Sequence, residues 1–454
     1  MMFGESGKKL NSTNIKKIGC RAAQFCVKSG MYLLPWRIPE VMKGEGVSRR
    51  LPVAVKRKNL KKPLIVTGPT VRGCGLLDGM LETMENFKIP YVIFDKVTPN
   101  PTDEDVEQGA ALFRENQCDC IIAFGGGSPM DCAKAIGARI ARPGKPAKKL
   151  QGLFRILRPI PVLFAVPTTA GSGSETTIAA VITETSTHHK APIMDLCLMP
   201  KYVVLDPALT IGLPFEVTAA GGIDALCHAV EAYTNHTYNT RLEEKLALRA
   251  VKLIYKNLRK VCEDGSDMEA RQKMQEAAFC AGRAFTRGCV GYAHAIGHPL
   301  SGLYGLSHGN AVGILLPHVL RAYGEAAQKR LAELSDVCAL TAADESEAAK
   351  ADAFIRWIEE LKETLGIPVY PDVMREEDIE QIAQWAAEEA NPLYPVPVVW
   401  SRGEIKEFIR SLLPVPVQEE KKESAPAQDK KSVSTSAPEQ GTGSETEKGA
   451  QHDN

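Results

Sequence analysis

The 454-residue chain has no excess of either charge: 55 lysine and arginine residues stand against 55 aspartate and glutamate. A formal net charge of zero removes the usual electrostatic reason to expect nucleic acid or an anionic membrane as the main partner. No apolar run approaches the roughly 18 residues of a membrane span. The N-terminus also lacks the sustained apolar core of a secretory signal, so neither insertion nor export is expected. The twelve cysteines are scattered. The closest two, Cys118 and Cys120, are separated by one residue, a spacing that suits neither a disulfide nor a zinc finger. Free thiols in a reducing cytosol, and so a cytoplasmic location, are the expectation. Histidine is scarce, with nine in the whole chain.

The chain does contain enough apolar residues, 44%, to fill full cores, and its length favours two domains. Residues 1–48 read as an N-terminal extension whose "GMYLLPW" segment is apolar enough to pack on the body. From residue 62 an α/β rhythm begins. "PLIVTGP", "YVIFD", "CDCIIAFGGG" and "PVLFAVPTT" read as strands, with helical spacing in "LLDGMLETMENFK", "PTDEDVEQGAALFREN" and "DCAKAIGARIA". Alternating strands and helices predict a mostly parallel sheet covered on both faces. After Pro214 the pattern turns helical, over 215–234, 241–262, 268–287, 310–340, 347–365 and 375–390. The predicted organisation is an α/β domain at 49–213, an all-helical domain at 214–415, and a disordered tail at 416–454. That tail has almost no large apolar residues with which to offset ordering entropy.

Two loops follow predicted strands. "FGGGSPMD", residues 124–131, lets backbone N–H groups approach a phosphate closely, and the next helix adds its positive end. It is neither the G-x-G-x-x-G fingerprint nor a Walker loop, which would end in Lys-Ser/Thr. A tight strand-to-helix turn is the plainer alternative. "VPTTAGSGSETT", residues 166–177, offers hydroxyls at Thr168, Thr169, Ser172, Ser174 and Thr177. An ordinary polar loop with a helix cap would look similar. Two such loops at the same ends of neighbouring parallel strands favour a nucleotide crevice.

Three of the histidines, His294, His298 and His308, crowd into "GYAHAIGHPLSGLYGLSHG". Upstream, "GGIDALCHAVEAYT" places Asp224 and His228 four apart, one turn of a helix; His294 and His298 share that spacing. A carboxylate and imidazoles on facing helices can build a metal site in a bundle core. Imidazole and carboxylate suit Fe²⁺ or Zn²⁺, whereas a structural zinc site would show thiolates. Each histidine taken singly also fits a hydrogen-bonded core residue, and spacing alone leaves the metal open.

The segments "VTPNPT", "GGGSPMDCAKAIG", "VPTTAGSGSETT", "GGIDALCHAVEAYT" and "GYAHAIGHPLSGLYGLSHG" resemble, in order and spacing, the signatures of the iron-containing (group III) alcohol dehydrogenases, in the dehydroquinate synthase-like superfamily. The resemblance covers about residues 50–413. It implies a dinucleotide-binding α/β domain, a helical metal-binding domain and a cleft between them. It implies Asp224, His228, His294 and His308 as metal ligands, Fe²⁺ with Zn²⁺ as the other option. His298 matches a cleft histidine that relays protons instead of binding metal. Gly126, Gly127, Ser128, Asn100, Asp131, Thr168, Thr169, Ser172, Thr177 and Lys190 fall on cofactor positions, and Phe285 on a substrate-pocket position. The expected reaction is hydride transfer between NAD(P)(H) and a small, aliphatic alcohol or aldehyde, in a homodimer or larger homo-oligomer.

One departure bears on the cofactor. NAD-preferring members of this family carry Asp at the end of the first strand, bonded to the adenosine ribose. This chain has Gly68 there, so a 2′-phosphate meets no carboxylate; Arg72 is near enough in sequence to help bind it. NADP(H) is therefore expected ahead of NAD(H), with dual use as the variant. The other readings are a zinc-dependent polyol dehydrogenase, whose ligand pattern usually lacks the full histidine set, and a dehydroquinate-synthase-like lyase, which needs a basic pocket for a polyanion. A catalytically dead scaffold would not need intact ligand and cofactor motifs.

Overall fold

Strands that are apolar on both faces, such as "CIIAFG" and "VLFAVP", belong inside a sheet covered by helices on two sides. In the computed structural model, which describes residues 12–186 and 190–413, they do. The strands are β1 (Glu40–Lys43), β2 (Pro63–Val66), β3 (Val92–Phe94), β4 (Cys120–Gly125), β5 (Gly152–Leu153), β6 (Val162–Pro167), β7 (Ala179–Thr183), β8 (Lys190–Met194) and β9 (Tyr202–Leu205). Six of them form one sheet in the order β1-β9-β6-β4-β2-β3, parallel throughout. β5, β8 and β7 form a smaller sheet.

Side chains alternate across the main sheet, as the pleat requires. Ile121, Ala123, Leu163 and Ala165 enter one apolar core, while Ile122, Phe124, Phe164 and Val166 enter the core on the opposite face. The helices of this half are α1 (Ser12–Leu33), α2 (Leu51–Arg57), α3 (Pro69–Gly73), α4 (Asp78–Asn86), α5 (Asp103–Glu115) and α6 (Gly127–Ala141). Because the sheet is parallel, the loops leaving β2, β4 and β6 emerge at one edge. The Thr168 N–H donates to the Gly125 carbonyl at 3.0 Å and ties two of them together.

The second half is helical: α7 (Phe215–Thr234), α8 (Arg241–Glu263), α9 (Met268–Gly288), α10 (Tyr292–Tyr304), α11 (His308–Tyr323), α12 (Glu325–Cys338), α13 (Glu347–Thr364), α14 (Ile379–Ala390) and α15 (Arg402–Arg410). α8 starts at a capping box, Thr240 with Glu243, which satisfies two otherwise orphan N–H groups. α7 runs through the middle of this core, buried on nearly every side from Gly222 to Thr234.

The fold differs from, or adds to, the sequence reading at several points. The predicted helix over 310–340 is two helices, because Gly324 takes φ 52° between α11 and α12, a conformation glycine adopts without penalty. Residues 40–43, counted with the extension, form the edge strand β1 of the main sheet. The described part of the extension is also anchored. Buried Gln24 on α1 donates through Nε2 to the carbonyls of Pro392 (3.1 Å) and Tyr394 (2.8 Å), and Lys17 pairs with Glu404 at 2.6 Å. The tail expected to be disordered, 416–454, lies outside the described residues.

The central position of α7 predicts opposite signs for two glycine substitutions. A Cβ on Gly222 would lie 2.2 Å from Leu258 Cδ1, whereas one on Gly302 of α10 meets nothing within 4 Å. Gly222→Val should cost about 1–3 kcal/mol by overpacking, and Gly302→Ala should gain about 0.5–1 kcal/mol from helix propensity. Urea midpoints of the two variants check this; equal shifts would contradict the packing described.

Candidate metal centre and dinucleotide loops

Asp224 and His228 lie one turn apart on α7, His294 on α10, and His308 is the first residue of α11. The Ser307 side chain caps α11 by accepting from the Asn310 N–H. One ligand-type atom from each of the four residues lies within 4.8 Å of every other. From Asp224 Oδ1 the distances are 3.7 Å to His228 Nδ1, 3.7 Å to His294 Nε2 and 3.3 Å to His308 Nε2. Four ligands at tetrahedral corners, each about 2.1 Å from an ion, would be about 3.4 Å apart.

Hydrogen bonding does not explain the cluster. Asp224 Oδ1, His228 Nδ1 and His294 Nε2 are buried with no hydrogen-bond partner among the described residues. Leaving such atoms unpaired is costly, and a cation between them would satisfy all at once. Nitrogen and carboxylate donors without a thiolate fit Fe²⁺ or Zn²⁺. The residues present therefore fit a divalent ion.

Two carboxylates that sequence reasoning missed support the imidazoles from behind. Glu231, 1% exposed, accepts from the Ala293 N–H at 2.8 Å and contacts His294 Nδ1 at 2.5 Å. It thereby fixes which nitrogen of His294 faces the cluster. Glu389 holds His298 Nδ1 at 2.8 Å and 3.0 Å and also accepts from the Tyr394 hydroxyl at 2.8 Å. A signal for Glu231 was available: Asp224, His228 and Glu231 are spaced i, i+4, i+7 on one helix face. Glu389 lies 91 residues from His298, and no local pattern points to it.

Electrostatics divide the cluster. Burial pushes His228 down to about 3 and lowers His308 as well, so both are neutral at pH 7. Burial also opposes charge on His294, but Glu231 and Asp224 outweigh it and hold its pKa up at about 9. Burial works against ionising Asp224, yet the surrounding imidazoles hold its carboxyl well below the usual range. The His228 and His294 side chains are 6% and 2% exposed, those of His298 and His308 27% and 37%. The centre therefore opens on the side of His298 and His308, whose rings stack at 5.2 Å. Phe285 stacks on His228 at 4.1 Å and forms an apolar wall.

The two loops meet beside this centre. A Cβ on Gly126 would lie 3.3 Å from Thr169 Oγ1, and one on Gly127 3.3 Å from Ser172 Oγ, so the close approach requires small residues. Ser128 Oγ accepts from the Asn100 N–H at 3.3 Å. Lys190 donates to Asn100 Oδ1 at 2.9 Å and reaches Ser301 Oγ on α10 at 3.5 Å. Gly126, Gly127, Ser128, Thr169, Ser172, Asn100 and Lys190 are all at least partly accessible. Thr168 and Thr177 are buried. Asp131 accepts from Ser174 Oγ at 2.6 Å and from the Val181 N–H at 3.0 Å. Buried Lys134, a residue the sequence did not single out, donates to Ser174 Oγ (3.0 Å), Thr177 Oγ1 (2.7 Å) and the Ala179 carbonyl (2.8 Å). Asp131, Lys134 and Thr177 thus brace the second loop from beneath. Gly68 is buried at the turn from β2 into α3, and a Cβ there would meet the Val97 carbonyl at 3.0 Å.

Known proteins resemble this chain over most of its length. The profile of the iron-containing alcohol dehydrogenases matches residues 39–207, and that of the C-terminal part of the Fe-containing alcohol dehydrogenase family matches 218–413. The chain is 35% identical to the NAD-dependent methanol dehydrogenase of Bacillus methanolicus, over 77% of this chain and 92% of that protein. It is 38% identical to the 1,3-propanediol dehydrogenase of Klebsiella pneumoniae, over 73% and 86%. The crystal structure of a 1,3-propanediol oxidoreductase superposes with a TM-score of 0.79 at 34% identity, covering 83% of this chain and 99% of that one.

The charge pattern predicts a proton count. A raised His294 is protonated at pH 7, and a metal must displace that proton. Fe²⁺ or Zn²⁺ uptake by metal-free protein should release about one proton per ion below pH 9, so apparent affinity should climb as pH rises toward the His294 value of about 9. Glu231→Gln should reduce the release and weaken metal binding by roughly 10–100-fold. Calorimetry in two buffers of different ionisation enthalpy measures both; proton release unchanged in Glu231→Gln would refute the pairing.

Proposed function

The chain belongs to the iron-containing alcohol dehydrogenases, and from that premise we propose that its metal centre and paired loops interconvert a small aliphatic alcohol and the corresponding aldehyde with NADP(H), NAD(H) also being accepted. The observation that carries this reading is the Asp224, His228, His294 and His308 cluster, in which Asp224 Oδ1, His228 Nδ1 and His294 Nε2 are buried with no hydrogen-bond partner among the described residues, and which opens beside His298 and His308 and is walled by Phe285. Those four residues would hold the ion, and a bound Fe²⁺ or Zn²⁺ supplies Lewis-acid stabilisation of charge on a substrate oxygen. A nicotinamide held by the two loops would supply the hydride chemistry.

The chain's own residues position the reactants and move the proton. Glu389 at His298 Nδ1 favours the tautomer with hydrogen on Nδ1, leaving the Nε2 lone pair to accept the alcohol proton. The imidazolium so formed keeps the Glu389 carboxylate as its counter-charge. In the reverse direction the same nitrogen returns the proton to the nascent alkoxide. Gly126, Gly127 and Ser128 at the start of α6 suit a pyrophosphate, through N–H groups at a helix N-terminus. Thr169, Ser172, Asn100 and Lys190 suit the remaining polar groups of the dinucleotide. Phe285 favours an apolar substrate chain. A homodimer or larger homo-oligomer in the cytoplasm completes the proposal. Among the described residues no helix is long and apolar enough to cross a membrane.

The NADP(H) component rests on Gly68. No carboxylate stands at that turn to bind a free 2′-hydroxyl or repel a 2′-phosphate, and Arg72 follows one turn later, where its present partner is Asp78 at 3.5 Å.

The reading as a whole is tested by metal analysis of anaerobically purified protein, followed by an aldehyde panel with NADH and NADPH in parallel. No turnover from metal-loaded protein would sink it. His298→Ala should retain its metal and lose about 10²-fold in kcat, whereas Glu389→Gln should lose less and move the pH–rate profile. An unaltered rate in His298→Ala would leave that histidine a packing role only.

Gly68→Asp should shift the ratio of kcat/KM toward NADH by at least ~10-fold, which needs about 1.4 kcal/mol. The Val97 carbonyl must first yield a few tenths of an ångström to the new Cβ. Steady-state kinetics with both cofactors decide the point. A strong wild-type preference for NADH, or an unmoved ratio in the variant, would overturn the NADP(H) assignment.

A further inference from the structure

Burying a guanidinium without a counter-ion is expensive, and the chain does so at a place unconnected with the metal centre. Arg287, near the end of α9, is 8% exposed. Its Nε donates to the Tyr238 carbonyl at 2.9 Å, and its Nη2 is buried without a partner among the described residues. The group lies 5.0 Å from the ring centroid of Tyr32 and 5.4 Å from that of Trp36. Aromatic faces return less to a cation than burying an ion costs.

Arg287 borders a cavity of about 200 Å³ also lined by Trp36, Arg37, Arg283, Thr286 and Glu243. One water needs only about 10–15 Å³ on the same measure, so the space admits a multi-atom ligand. None of the three arginines makes an ion pair among the described residues. The one carboxylate on the wall, Glu243, is already engaged by the Thr240 N–H (2.8 Å) and hydroxyl at the start of α8. Three cations and one carboxylate therefore line the cavity, and that carboxylate's hydrogen bonds go to the start of α8 and not to an arginine. The lining includes no metal ligand and none of the cofactor positions. It does adjoin the back of the second loop, where Thr286 Oγ1 donates to the Thr176 carbonyl at 3.1 Å.

We propose that this cavity is a binding site for a compact oxyanion, a phosphate or carboxylate group, held by Arg287 together with Arg283 and Arg37. Guanidinium forks match both groups bidentately, and the Trp36 ring closes one side. The N-terminal extension, which contributes Tyr32, Trp36 and Arg37, thereby completes a ligand site.

The test is calorimetric titration of the NADPH-saturated protein with inorganic phosphate and, separately, with malonate. Saturating NADPH keeps the anion out of the Gly126–Ser128 loop and away from the Gly68 turn. The expected result is one saturable site for at least one anion, the tighter of the two identifying the group preferred. Arg287→Gln should weaken it by about tenfold or more, as loss of a charged hydrogen-bond donor implies, and Arg283→Gln by several-fold. Arg321→Gln, whose arginine is already paired with Glu359 and Asp352, should change nothing. Should Arg287→Gln fail to fold, Arg283→Gln and Arg37→Gln decide the matter, and unaltered binding in both overturns the proposal. So does the absence of saturable heat with either anion, or a response that sodium chloride of equal ionic strength reproduces.

Discussion

A carboxylate whose Oδ1 is buried among three imidazoles without a hydrogen-bond partner among the described residues is the constraint on which the rest of the helical half depends. Asp224 Oδ1 meets three ring nitrogens at 3.3–3.7 Å and pairs with none of them as donor to acceptor. Such an arrangement is unfavourable in itself, because a buried ion must be paired. Its cost is reduced by one protonated imidazole, His294, held charged by Glu231. The metal-free cluster thus carries a proton where a cation would go. The two carboxylates and one imidazolium are individually costly and only jointly tolerable, so the two helices that supply them, α7 and α10, must pack in one register.

Glycine contacts set that register and extend it to the dinucleotide loops. A Cβ on Gly171 would fall 2.7 Å from Gly221 Cα, one on Gly173 2.7 Å from Gly282 Cα, and one on Gly309 1.9 Å from the Ala220 carbonyl. Backbone therefore touches backbone between the second loop and helices α7 and α9, and between α7 and the start of α11. Gly221 is three residues from Asp224, and Gly309 follows His308. Gly221, which meets the loop, and Gly309, which meets α7, are thus neighbours in sequence of the proposed ligands. The proposed reaction would need a nicotinamide at the loops and a substrate at the cluster to be held at a separation fixed to within a fraction of an ångström. Contacts with no intervening side chain have few rotameric ways to relax.

Much of this was legible from pattern. The strands with apolar residues on both faces, the glycine loops after β4 and β6, and the four-residue spacing of Asp224 with His228 and of His294 with His298 all reflect local periodicity. What pattern could not reveal depends on distant partners. Glu389 matters because α14 packs on α10, which nothing within "AAEEAN" announces. β1, "EVMK", has neither alternation nor a long apolar run, and is a strand because β9 offers it a parallel edge. Lys134 reads as a surface lysine on an amphipathic helix, yet it is fully buried, because the loop folded over it supplies four oxygen acceptors. Asp131 and Thr177 match cofactor positions by motif, while their hydrogen bonds run inward to the loop. A motif records which residues a loop requires without separating those that face the ligand from those that hold the loop's shape.

The N-terminal extension illustrates the same point at longer range. Its composition indicates a segment able to pack, without indicating against what. In the fold, Gln24 of α1 donates to the Tyr394 carbonyl, the Tyr394 hydroxyl donates to Glu389, and Glu389 holds His298. A helix outside the α/β core thus ends a hydrogen-bond chain that begins at the proposed proton carrier. Each link is a neutral or charge-assisted bond worth on the order of 1–3 kcal/mol. Together they restrict the His298 ring to one tautomer and one orientation. A general base must be placed before its pKa matters, and here the placement depends on residues nearly four hundred positions apart, Gln24 and Tyr394, being 370 apart in sequence.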